Sequence, residues 1–101
     1  MLSVLSQKKQ GFRFYFALFD GGATYGGGLT EEGELVSDPD CPQKELMFRT
    51  LVFKCMNDGV SEAFTRDVWG LDLARFGFRP DGQVFRADAG SFCLPRDCKE
   101  G

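Results

Sequence analysis

Four cysteines, Cys41, Cys55, Cys93 and Cys98, are the strongest nucleophiles in a chain that contains no histidine. Without imidazole there is no Ser–His–Asp triad, no Cys–His pair and no histidine metal ligand. The usual general base near neutral pH is missing as well. Catalysis would have to run on carboxylates, a lysine, Tyr15, Tyr25 or an activated thiol. Cys93 and Cys98 stand in "SFCLPRDC", where Arg96 is placed to stabilise a thiolate, so a small thiol-dependent enzyme is one reading. No two cysteines have zinc-knuckle spacing, and neither a metal nor a cofactor is expected. No spacing among the fifteen acids singles out a catalytic pair, and scattered carboxylates are ordinarily solvated surface. The sequence predicts no catalytic residues.

The stretch most suggestive of a ligand is "FDGGATYGGGLTEEG", residues 19–33, with six glycines. A dinucleotide fingerprint needs glycines at i, i+2 and i+5, and counting from Gly26 the last position is Glu31. A P-loop needs a lysine after the glycines, and Leu29 stands there. A β-hairpin accounts for the glycines better. "GFRFYFALFD" alternates Phe12, Phe14, Phe16 and Leu18 on one face with Arg13, Tyr15, Ala17 and Phe19 on the other. With Gly21-Gly22 as a two-residue loop, Asp20 pairs with Ala23, Phe16 with Gly27, Tyr15 with Gly28 and Phe14 with Leu29. Each glycine then leaves room for a large side chain across the ladder. "TEEGE" reads as a turn with Gly33 left-handed, which brings Leu35 beside Leu29.

Around this meander stand the elements that position it. A long helix is expected from an Asp40 cap with Gln43 in a capping box, ending near Asn57 with Gly59 just beyond. Its packed stripe is Phe48, Leu51, Val52, Cys55 and Met56, flanked by Met47. Leu46 and Phe53 fall outside the stripe and call for cover from another segment or another chain. A short helix is expected over residues 62–69. "FGFRPDGQVF" follows as a hairpin with Phe76, Phe78 and Val84 inward and Phe85 outward, and the tail from Ala89 is irregular. The predicted fold is one α+β domain over residues 1–101. It is a small antiparallel sheet, a three-stranded meander extended by the C-terminal hairpin, packed on one long and one short helix.

Composition narrows the function classes. A net charge of −3 argues against nucleic acid as a partner. No apolar run approaches a membrane span, and "MLSVLSQKKQ" does not read as a signal peptide. Without an export signal, a reducing cytoplasmic location, where thiols stay free, is expected. The expected function is a binding or assembly module, most simply a homodimer, that takes a protein partner or a planar ligand. Its candidate surface comprises Arg13, Tyr15, Phe19, Gly26 and Gly28 on the sheet back, and Leu46 and Phe53 on the helix flank. A second reading is an acidic inhibitor or immunity-type protein masking a basic site with Glu31, Glu32, Glu34, Asp38 and Asp40.

Overall fold

The computed structural model of the protein describes residues 2–95; Arg96 and Cys98 lie outside the described residues. It is α+β, with one long helix and two antiparallel sheets. The first sheet is a meander of β1 (Leu2–Gln7), β2 (Phe12–Asp20), β3 (Ala23–Thr30) and β4 (Leu35–Ser37), in the order β1-β2-β3-β4. After it come α1 (Lys44–Asn57), β5 (Glu62–Thr65), a 3-10 turn over Leu73–Phe76, β6 (Arg79–Asp81) and β7 (Val84–Asp88). The second sheet runs β5-β7-β6. One parallel bridge, Glu34 to Phe64, joins the sheets.

The β2–β3 hairpin has the register that its turn and glycines require. Asp20 pairs with Ala23, Phe16 with Gly27, Tyr15 with Gly28 and Phe14 with Leu29, while Leu35 of β4 pairs with Leu29. Gly21 at the first loop position takes φ 66° and Gly33 takes φ 103°, conformations that cost glycine little. The expected face assignment fails at one end. The register slips between Phe12 and Phe14, so β2 carries a bulge at Arg13. The extra residue moves Phe12 to the back of the sheet, where its ring meets Tyr15 edge-on at 5.0 Å. Arg13 is turned instead to the helix side, where its charge acts on the Cys55 thiol.

The helix starts later than its capping signal implies. Asp38 to Cys41 forms a turn closed by the Cys41 N–H on the Asp38 carbonyl. The Lys44 ammonium donates to the carbonyls of Pro39 (2.8 Å) and Cys41 (3.0 Å), and the Cys41 side chain is buried. Those bonds hold residues 38–41 as a staple ahead of the helix, and Gln43 caps it with no side-chain bond. Met47, Phe48, Leu51, Val52 and Cys55 are buried as the stripe requires, and Gly59 ends the helix at φ 68°. Met56 lies at the stripe's margin and is 45% exposed.

Residues 62–65 form a strand, where the Phe64/Val68 spacing suggests a helix. Ala63 and Thr65 are buried and alternate with Glu62 and Phe64, a period of two. The Phe64 N–H donates to the Gly33 carbonyl, and β7 supplies the rest of the ladder. The C-terminal hairpin therefore pairs with β5 and does not extend the meander. Its loop is Gly82-Gln83, because Asp81 pairs with Val84. This puts Phe85 against the core and leaves Val84 and Arg86 on the other side. Phe48 is the hub of the second half, with ring centroids of Trp69 at 4.6 Å, Phe76 at 4.8 Å and Phe78 at 5.4 Å.

Candidate functional site

The glycine floor on the back of the first sheet has an occupant of its own. Gly26 and Gly28 are buried, and a Cβ at Gly26 would meet the Tyr15 hydroxyl and ring. A Cβ at Gly28 would meet the Phe14 carbonyl and the Phe12 ring. The planar group that fits these glycines is thus the Tyr15 ring, lying across its own ladder. Lys9 holds its ammonium 5.3 Å from the centre of that ring. Burial raises the Tyr15 pKa, and the nearby Asp38 charge raises it further. Asp38 is fixed there because its carboxylate accepts the Gly26 N–H at 2.9 Å. Phe19 is half-buried on the same face.

The remaining candidates scatter. Leu46 packs half-buried against the core, whereas Phe53 stays 58% exposed beside Met56. The acidic residues do not form one open face: Glu34 pairs with Arg66 at 3.3 Å and Asp38 is held by Gly26. Cys93 is exposed, and its thiol donates to the Arg75 carbonyl at 3.0 Å. Cys55 is deeply buried, and burial pushes its thiol from an ordinary 9.0 up to about 12. Among the described residues no group of three His, Cys, Asp or Glu could hold a metal ion, and no helix is long and apolar enough to cross a membrane.

Sequence reasoning missed two features. One is the groove at the bulge, where Lys8, Lys9 and Arg13 of the β1–β2 turn approach Lys54 and Asp58 at the end of α1. The other is the outer edge of β1, which pairs with no strand among the described residues. The two-residue loop makes Asp20–Ala23 a hydrogen-bonded pair, and such pairs alternate along an antiparallel ladder. Leu18 and Phe16 then bond toward β3, while Phe19, Ala17 and Tyr15 bond toward β1. The Asp38 N–H on the Gly26 carbonyl fits this alternation, because Gly26 opposite Ala17 must bond away from β2. Ser3, Leu5 and Gln7, the partners of Phe19, Ala17 and Tyr15, turn their backbone inward. The N–H and C=O groups of Leu2, Val4 and Ser6 therefore point away from the sheet. Leu2 and Leu5 are 42% and 54% exposed along this edge. Compared with known proteins, the chain matches no family model, no curated protein and no solved structure.

Proposed function

We propose that the protein is a self-associating module whose partner is a second copy of the chain, joined along the free edge of β1. The observation that carries this reading is the edge itself: six residues, "LSVLSQ", with no charge, no proline and no bulge. Proteins that keep such edges monomeric ordinarily interrupt them with a lysine, a proline or a bulge. A two-fold axis through Val4 makes the strand self-complementary. Val4 faces Val4 of the second copy, Leu2 faces Ser6, and the outward groups close about six backbone hydrogen bonds. On the sheet back Leu5 then lies diagonal to Leu5 of the second copy, within side-chain reach. Lys8 and Lys9 fall outside the paired stretch. The Tyr15 and Phe19 surface becomes one face continuous across both protomers, available to a further protein partner or planar ligand. A cytoplasmic setting suits this reading, since Cys41, Cys55 and Cys93 are free thiols.

Light scattering at micromolar concentration tests the proposal. The wild type should be a dimer. Leu5→Lys places two lysines diagonally across the axis and should give a folded monomer. Val4→Pro removes an N–H that no strand within the protomer uses, and should do the same. A wild-type monomer, or a Leu5→Lys variant that remains dimeric, would overturn the reading.

A further inference from the structure

We propose that the groove between the β1–β2 turn and the end of α1 binds a compact anion carrying a phosphate or diphosphate group. The groove adjoins the end of the β1 edge contact, sharing Ser6 with it, while its charged lining residues lie outside the paired stretch. The groove measures about 620 Å³, within the range of small-molecule sites. Its lining carries Lys8, Lys9, Arg13 and Lys54 against Glu31 and Asp58, a local charge of +2 in a chain whose net charge is −3. Lys54 is neutralised by Asp58 at 3.2 Å. Lys8, Lys9 and Arg13 have no carboxylate partner among the described residues.

Local geometry points the same way. The bulge in β2 interrupts the ladder, and its result is to turn Arg13 off the sheet back and toward the helix end. Bulges recur beside functional sites because they re-aim one side chain in this manner. Three unmatched cations call for a ligand with more than one negative charge. Arg13 reaches the groove from the helix side and Lys9 from the Tyr15 side, and a guanidinium fork together with lysine ammonium groups suits phosphoryl oxygens better than a single carboxylate. The cations line one groove and do not run as a stripe, which fits a compact anion and not a nucleic-acid backbone.

The test is an amide chemical-shift titration with sodium pyrophosphate at low ionic strength, set against sodium chloride of matched ionic strength. Saturable shifts centred on Gly11, Arg13 and Lys54 are expected. Arg13 is exposed, so Arg13→Gln should keep the native spectrum while weakening pyrophosphate about tenfold, the loss of one charge-assisted contact. Lys9→Gln should weaken it independently. Shifts that match the chloride control, or an Arg13→Gln variant with unchanged affinity, would overturn the site. Citrate moving the same amides with the same midpoint would overturn the phosphate class.

Discussion

In the first sheet, glycines at 26, 27 and 28 admit side chains from the next strand and from the helix. The second sheet has no glycine in any strand and depends on rings gathered about Phe48. The first is a steric fit between backbone and side chain, with little room to adjust. The second is a packing of side chains on side chains, joined to the first through a shared hydrophobic core, the Glu34–Phe64 bridge, the Arg66–Glu34 ion pair and a buried relay. In that relay Trp69 Nε1 donates to the Thr65 hydroxyl at 2.8 Å, and the hydroxyl donates to the Leu35 carbonyl at 2.7 Å. Backbone fit should therefore be unforgiving in one half, and a polar seam should set how firmly the other half is attached.

The harshest way to break this contrast is Gly28→Val. The new Cβ meets the Phe14 carbonyl and the Tyr15 Cα, and backbone atoms cannot swing aside. A loss of about 3 kcal/mol or more is expected in urea denaturation. Gly26→Ala collides with the Tyr15 hydroxyl, the far end of a side chain, so Tyr15→Ala should rescue it but not Gly28→Val. Equal rescue at both glycines would mean that side chains, and not backbone, set the fit in the first sheet.

Thr65→Val keeps the shape at the seam but leaves the Trp69 N–H and the Leu35 carbonyl without their partner. The cost should be about 2 kcal/mol by the same measurement. A neutral outcome would mean that the seam holds nothing.

The Cys55 thiol sharpens the comparison through pH. Its proton is held up to about 12 in the folded protein, whereas an unfolded thiol releases it near 9.0. The unfolded chain therefore binds fewer protons between those values, and stability falls as pH rises through that window. At pH 10 the loss relative to a Cys55→Ala variant should be about 1 kcal/mol. Parallel stability curves for the two proteins from pH 8 to 11 would contradict the burial of this thiol.

The smallest effect belongs to the helix flank. Phe53→Glu, at a position 58% exposed, should change stability by no more than about 0.5 kcal/mol and leave the dimer intact. Dissociation by this variant would move the contact from the β1 edge to the helix.

The parts of the fold legible in the sequence are those where a local rule acts alone. Asp20-Gly21-Gly22-Ala23 admits one loop, and the loop fixes the β2–β3 register as far as the bulge at Arg13. The helix's packed stripe follows from its own periodicity. β1 was hidden because Leu2 and Val4 face one side while Leu5 faces the other, which matches no simple period. The bulge at Arg13 involves no glycine or turn residue, so nothing marks the point where Phe12 changes face. With it went the candidate site, since Arg13 was assigned to the wrong side of the sheet. Residues 62–65 misled because Phe64 and Val68 imitate a helical pair. Their strand is imposed from outside, by the Gly33 carbonyl and by β7. Long-range partners, not propensity, decided that segment.

Trp69 is the chain's one tryptophan, 3% exposed, with its indole N–H engaged at the seam and its ring stacked near Phe48. Nature has thus placed a single optical reporter at the join between the two halves. Its emission should be blue-shifted while the join is closed and should move to the red when water reaches the indole. Because the indole sits at that join, fluorescence should register any opening between the halves, and circular dichroism the loss of the first sheet. The order in which the two signals change measures the cooperativity between the halves without any added label.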